Sequence, residues 1–543
     1  MDAFWCMGPA LSEAHIARWA IQDKPPLALR RLADYNNPPN TDDVFIATDR
    51  FHQAKLDEIE KWRSMDTFDE VTDSGQSPRI TTKWVCTEKE KGGKINIKAR
   101  LCARGFEEAD PQIRTDCPTC SKSSLRIIIS IFVSFSWPLH TLDIKSAFLQ
   151  GMPIEREIYL IPPKLAHSKG ILWKLKKCAY GLIDAGRQWY IKVLLSLKDL
   201  KGQQLSLDPG VFFWKKDGKL VGIMAFHVDD FIYGGNSFFH NNIIAKVRSV
   251  LTVGLIETSK VKFLGIHMEE NKSGIQIHTN PYIQSIEEMS TSELGDKNSP
   301  LSPKQMSALR HSAGQLNWVS SQTRPDIAFD NCVIGSNISA ATVDLVYKTN
   351  KAIRKVKNSN FTLNFPCNFD MVKSQIVSFT DASFANLANR ASQGGNIIFL
   401  VDSSGLYCPI TWRSHRLKRV VSSTLAAECL AAVEASETCS LLQTVISEIL
   451  DIKPNINLLT DSKSLVDTAH STTSVENKRL QIEVSVLRDT IHRGELNEFR
   501  WISTYLNLAN PLTKAGANTK DLSRVLGSPL KYDFSRAKFI NSA

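Results

Sequence analysis

Phe226-His227-Val228-Asp229-Asp230-Phe231-Ile232 sets two adjacent carboxylates inside an otherwise apolar run. Lys219 to Phe226 reads as one strand and Phe231 to Tyr233 as another, with the acids at the turn between them. Asp217-Gly218, ahead of the run, is a two-residue hairpin signal. Side-by-side acids at the tip of an apolar hairpin are costly to bury bare, so they need a cation or a solvated position. A third acid with similar surroundings lies upstream: Asp143 in Leu139-His140-Thr141-Leu142-Asp143-Ile144-Lys145-Ser146-Ala147-Phe148. Three carboxylates on strand ends can hold two Mg²⁺ ions roughly 3.5–4 Å apart. An Asp-Asp pair on its own is common in solvated turns, so the neighbouring motifs must decide.

Those motifs run in order along the chain. Lys98-Ala99-Arg100-Leu101-Cys102-Ala103-Arg104-Gly105-Phe106 comes first, then Leu142-Asp143-Ile144-Lys145-Ser146-Ala147-Phe148-Leu149-Gln150-Gly151. Tyr180-Gly181-Leu182, Arg187-Gln188-Trp189-Tyr190, Val228-Asp229-Asp230 and Phe263-Leu264-Gly265 follow. Together they resemble the reverse transcriptase of Ty1/copia-type LTR retrotransposons. The resemblance implies that Asp143, Asp229 and Asp230 bind Mg²⁺ (or Mn²⁺), two ions per active site. It makes Lys98 and Arg100 candidates to grip a deoxynucleoside triphosphate, where their donors would neutralise phosphate charge. Phe148 matches the aromatic gate that would collide with a 2′-hydroxyl, and Gly181 would lie beside the nascent base pair. His227 stands where the family usually has Tyr and would contact primer or template. Leu264 and Gly265 would hold the primer end. Ile183-Asp184-Ala185-Gly186 replaces the family's Lys-Gln-Ala-Pro, which puts an acid, Asp184, near template or nucleotide.

The later chain shows a second acidic pattern. Gln375 to Phe379, Asn396 to Val401 and Pro409 to Trp412 read as strands, the first ending at Thr380-Asp381. Thr424 to Leu450 is a long amphipathic helix with Leu425, Cys429, Val433, Leu441, Val445 and Ile449 near one face and Glu428 in its first turns. Ile456 to Leu459 is a strand ending at Thr460-Asp461. A helix from Asn477 to His492 and a strand from Phe499 to Ile502 close the series. This order resembles RNase H, with Asp381, Glu428 and Asp461 as catalytic and Mg²⁺-binding acids. Leu508-Ala509-Asn510-Pro511-Leu512-Thr513-Lys514 has Asn510 where the family supplies a fourth acid. A second ion should then bind less tightly, and hydrolysis should be reduced.

The expected fold class is α+β and multidomain: a right-hand (fingers-palm-thumb) polymerase followed by an RNase H-like mixed-sheet α/β domain. The expected segments are an N-terminal extension, partly helical (1–75), fingers and palm (76–275), thumb and connection helices (276–365), an RNase H-like domain (366–520) and a C-terminal tail (521–543). Phe51 to Met65 carries Leu56, Ile59 and Trp62 at helical spacing. Pro25-Pro26 and Asn36-Asn37-Pro38-Pro39 mark breaks, and Gly92-Gly93 suits a hairpin turn. Thr72-Asp73-Ser74-Gly75 contains an aspartic-protease triplet but lacks an apolar strand around it, so a surface turn is expected. Cys117-Pro118-Thr119-Cys120 is a lone CxxC, weak evidence for zinc. Gln322-Thr323-Arg324-Pro325-Asp326-Ile327-Ala328 reads as a helix start with Pro in its first turn.

Composition sets outer limits. The chain has 543 residues, 43% hydrophobic and 22% charged, enough for sizeable cores and about three domains. A net charge of +10 and a pI near 8.9 favour a polyanionic partner. Eleven cysteines, an odd number in a long chain, favour a reduced compartment over a disulfide framework. No long apolar run predicts a membrane span, and Met1-Asp2-Ala3-Phe4-Trp5 lacks the form of a signal peptide. The family resemblance implies RNA template, DNA primer, RNA–DNA hybrid and dNTPs as partners, with other retrotransposon proteins (Gag, integrase). It implies a cytoplasmic (virus-like particle) or nuclear location, not a secreted one. A decayed or domesticated copy that binds nucleic acid without catalysis is the alternative, motivated by His227, Asp184, Gly186 and Asn510.

Overall fold

The computed structural model describes residues 41–543, apart from 76–78, 92–93, 109–111, 167–168, 293, 388–389, 529 and 542–543. The Pro25-Pro26 and Asn36–Pro39 breaks and the Gly92-Gly93 turn lie outside the described residues.

The palm is a six-stranded antiparallel sheet. Its strands run in the order Val253–Thr258, His140–Ile144, Asp230–Gly235, Lys219–His227, Val211–Lys216 and Gln203–Gln204. The central strands read as unbroken apolar runs because both faces are covered. Ile223, Ala225 and Ile232 point into one core, with Ile128, Ile131 and Phe132 of the helix Lys122–Ser134. Met224, Phe226, Phe231 and Tyr233 point into another, with Trp189, Val193 and Leu197 of the helix Ala185–Asp199.

The fingers carry a hairpin of two ten-residue strands, Thr82–Lys91 and Lys94–Ala103. The helix Thr41–Ser64 buries Ile59 and Trp62 against Leu101 and Trp173, while Leu56, on the same expected stripe, stays 38% exposed. Asp73 accepts a bond from the Gly75 amide (3.0 Å), so the protease-like triplet is a turn. Four helices, Asn280–Ser285, Pro303–Gln322, Ala328–Asn337 and Val343–Lys357, lie in the span expected to form thumb and connection. Pro325 opens a short 3₁₀ turn there. Arg324, 1% exposed, forks onto Asp326 at 2.8 and 2.9 Å and also donates to the Val356 carbonyl.

The C-terminal sheet has five strands in the order Tyr407–Arg416, Gln393–Val401, Gln375–Ser383, Ile456–Thr460 and Glu498–Trp501. The first three are antiparallel, and the last two run parallel to Gln375–Ser383. That parallel step needs a crossover, supplied by the helix Thr424–Leu450. Leu441 on that helix is 45% exposed, and Leu442 takes the buried position expected of it. The mixed sheet with its crossover helix is the RNase H-like arrangement expected from the strand order. Residues after 520, read from sequence as a tail, form the helix Lys520–Gly527 and a hairpin of Leu530–Asp533 with Lys538–Asn541. Phe539 packs among Phe399, Tyr407 and Tyr532 at ring distances of 4.6–5.5 Å.

The palm and the C-terminal sheet share one apolar core, and a buried cation pins the seam. Arg126, 3% exposed, donates to the carbonyls of Ile410 (2.9 Å), Ser321 and Gln322 (both 2.8 Å). Its guanidinium stacks 4.0 Å from the Trp412 ring, whose Nε1 donates to the Ser320 carbonyl at 2.9 Å. Arg126 thus joins a palm helix, the C-terminus of Pro303–Gln322 and an edge strand of the second sheet. Replacing Arg126 with Met strands three buried carbonyls. The expected cost is about 3 kcal/mol or more, read as a lowered denaturant midpoint with palm and C-terminal probes moving together.

Candidate active sites

The first site is a consequence of strand register. His227 pairs with Asp230 across the hairpin, so Val228 and Asp229 form its two-residue loop. Asp230 in turn sits opposite Asp143 on the neighbouring strand. Directly opposed residues share a face, so His227, Asp230 and Asp143 line up across three strands on the Ala225–Ile232 face. Asp229 joins them from the turn. Val228 holds a φ of +57°, a conformation that costs a β-branched residue about 1–2 kcal/mol. Two bonds hold it there: Trp189 Nε1 donates to the Val228 carbonyl (2.7 Å), and the Ile144 amide donates to the Asp229 carbonyl (3.0 Å). Trp189 is fully buried, so the helix that carries it fixes the turn.

The trio repels itself. Burial first, then the Asp229 and Asp143 carboxylates, push Asp230 up to about 6. Burial, with Asp143 adding to it, also raises Asp229. Lys262 and Arg100 pull the other way on Asp230 and Asp229 respectively. Hard oxygen donors with no ion-pair partner among the described residues suit Mg²⁺ or a similar ion. Gly254, on the edge strand, was not singled out from sequence, yet a Cβ there would lie 2.7 Å from Asp143 Oδ2. Its missing side chain leaves room for the carboxylate.

Other expected site residues gather nearby. Phe148 meets Tyr180 edge-on at 5.4 Å, and the Arg100 guanidinium lies 5.9 Å from the same Tyr180 ring. Tyr180 feels the Asp229 charge, so this ladder leads to the acids. Lys98 is exposed two residues along from Arg100. Gly181 needs to be glycine for a reason the sequence did not show. Its φ is +91°, and a Cβ would lie 2.1 Å from the Ala103 carbonyl oxygen, in the fingers backbone. His227 is half-buried, its Nδ1 has no hydrogen-bond partner among the described residues, and burial lowers its pKa. Leu264 and Gly265, at φ +54° and +79°, form the turn between Lys260–Phe263 and Ile266–Asn271, beside Trp318.

Asp184 is buried and paired within the protein. It is 1% exposed, and Arg156 grips it at 2.7 and 2.8 Å while also binding Glu108. Its charge is neutralised within the protein. Gly186 lies against Cys117, where a Cβ would come within 3.3 Å. Among the described residues no metal-binding group includes the CxxC cysteines.

The second site is more tightly gathered. Thr380 pairs with Thr460 in the parallel register, so Asp381, still inside its strand, and Asp461, just past the end of its own, come side by side. Glu428 reaches them from the second turn of Thr424–Leu450, whose start is fixed by Ser423 accepting from the Ala426 amide. One carboxylate oxygen from each of the three lies within 4.8 Å of the others, the only such group among the described residues. Burial and the neighbouring acids raise Glu428 and Asp381. Glu428 accepts from the Ala382 amide at 3.1 Å. Asn507, 4% exposed and unremarked in the sequence, donates to Asp461 Oδ1 (3.0 Å) and to the Thr380 carbonyl (2.9 Å). Lys514 makes an ion pair with Asp381 at 3.1 Å. The donor set fits a divalent cation.

Residues 65–305 match the family model described as reverse transcriptase (RNA-dependent DNA polymerase). That span is therefore similar to domains of the reverse transcriptase class. The chain is similar to the retrovirus-related Pol polyprotein from transposon TNT 1-94 of Nicotiana tabacum: 26% identical, over 90% of this chain and 38% of that one. It is also similar to those from transposons RE2 and RE1 of Arabidopsis thaliana. Each is 24% identical, over 88% and 92% of this chain and 34% and 35% of theirs. The resemblance to copia-type Pol polyproteins read from the motifs is thus borne out by relatives aligned along most of the chain. The chain spans little more than a third of those relatives' length. Among solved structures it is similar to a foamy viral protease-reverse transcriptase in complex with double-stranded DNA. The TM-score is 0.48 at 15% identity, over 80% of this chain and 67% of that one. No helix among the described residues is long and apolar enough to cross a membrane.

Two outcomes follow from the first site. Gly254→Val pushes a side chain into Asp143, so Mn²⁺ affinity measured by titration should fall about tenfold or more, with the melting temperature little changed. Asp230 carries a raised pKa, so the folded chain holds more protons than the unfolded one between about pH 4 and 6. Without an ion, stability therefore declines as pH rises through that window. Ion binding needs the deprotonated acid, so affinity at this site should drop about tenfold per unit below pH 6.

Proposed function

We propose that the chain is an RNA- and DNA-directed DNA polymerase joined to an RNase H that degrades RNA in RNA–DNA hybrids. The observation that carries the first part is the Asp143–Asp230 register with Asp229 in the adjoining turn. Asp143, Asp229 and Asp230 would hold Mg²⁺, two ions in this reading. Bound there, the metal would supply Lewis acidity for in-line attack of a primer 3′-oxygen on a dNTP. The protein's own groups do the rest. Arg100 and Lys98 neutralise triphosphate charge, and Phe148, braced on Tyr180, forms the floor under the sugar. His227, in register with Asp230 on the face of Asp143, would contact primer or template through the exposed part of its ring. The Leu264–Gly265 turn holds the primer end. Phosphate contacts from the basic surface make binding salt-dependent and largely blind to sequence.

Asp381, Glu428 and Asp461 would bind divalent metal for hydrolysis of the RNA strand, with Asn507 orienting Asp461. Catalysis is favoured over binding without chemistry because all three palm acids are present and Asp184 is neutralised by Arg156. Primer extension on poly(A)–oligo(dT) with Mg²⁺ tests the reading. Extension should occur and should fall about 10³-fold in Asp229→Asn, several kcal/mol of transition-state stabilisation. Unchanged extension in that variant, or none in the native chain, would sink it.

A further inference from the structure

We infer that the second acidic cluster takes one divalent cation rather than two, with the Lys514 ammonium standing in the second cation's place. This rests on the RNase H reading and revises the two-ion expectation for that site. Oxygens on opposite sides of a single Mg²⁺ are about 4.2 Å apart. Asp381, Glu428 and Asp461 each place one oxygen within 4.8 Å of the others, a grouping that a single ion can gather. A second ion would need a donor beyond Asp381, and Asn510 and Lys514 hold that side.

Both ends of the Asn510 amide are already engaged. Its Nδ2 donates to the Thr504 carbonyl at 2.6 Å, and its Oδ1 accepts from Lys514 Nζ at 2.5 Å. The same ammonium reaches Asp381 Oδ1 at 3.1 Å, while Thr513 donates its hydroxyl to Asp381 Oδ2. The lysine thus bridges Asp381 and Asn510, the residue at the fourth-acid position, and supplies the positive charge there itself. Charge points the same way. Three ionised carboxylates with one ammonium leave two negative charges, which one divalent ion neutralises. Without nucleic acid, a second ion would put uncompensated positive charge beside Asp381 and Glu428, which are 1% and 6% exposed.

The test counts ions in the full chain. Asp229→Asn/Asp230→Asn disables the polymerase site, and Mn²⁺ is titrated in the presence of an uncleavable 2′-O-methyl RNA–DNA duplex, followed by the electron paramagnetic resonance of free Mn²⁺. Subtracting the count for the same chain carrying Asp381→Asn isolates the second cluster. The expected count is one ion per chain, rising to two when Asn510→Asp and Lys514→Met are added, with melting curves confirming the fold. Two ions in the chain with native Asn510 and Lys514 would overturn the inference and leave the metal-centre reading standing. A count that stays at one after both substitutions would overturn the role given to Lys514. No ion at all would remove the metal-centre reading itself, and the inference with it.

Discussion

The antiparallel pairing of Asp143 with Asp230 is the constraint on which the first site depends. Two carboxylates are held on one face of adjacent strands, and a third is delivered by a loop only two residues long. The pairing brings like charges together, so something else must stabilise it. The stabilisation comes from the strands themselves, buried on both faces by separate cores, and from Trp189 and the Ile144 amide bonded to the turn. A one-residue slip would send the acids to the opposite face. The apolar residues before and after Asp229-Asp230 are therefore what keep the carboxylates in place.

The two acidic clusters answer the same electrostatic problem differently. The palm trio is served by Arg100 and Lys262 only from a distance, and its acids are raised accordingly. The second cluster includes its own counterion, Lys514, and borrows an amide where another acid would repel. Buried like charges either bind a cation or take up protons, and the route each cluster takes follows from which side chains reach it.

The two halves of the chain are not beads on a linker. Arg126 satisfies carbonyls from two other elements and stacks on Trp412, so the palm helix and the second sheet share a desolvated seam. The last residues add to this structure. Tyr532 and Phe539 complete the aromatic packing around Phe379, Phe399 and Tyr407, which without them would face water.

Much of this was legible in the residues alone. The acids at strand ends, the long helix carrying Glu428, and the order of strands all follow from periodicity and turn chemistry, which act over a few neighbouring positions. Gly254, Asn507, Arg126 and the aromatic hairpin after residue 528 gave no such signal, because their partners lie tens to hundreds of positions away. Asp184 is the sharpest case. Its sequence neighbours put an unpaired acid beside the template, and only folding brings up Arg156 to neutralise it. The chain's order determined which groups carry charge and at which strand ends; the tertiary structure decided which charges meet, because electrostatic energy depends on distance in space and on burial, and neither is written along the chain.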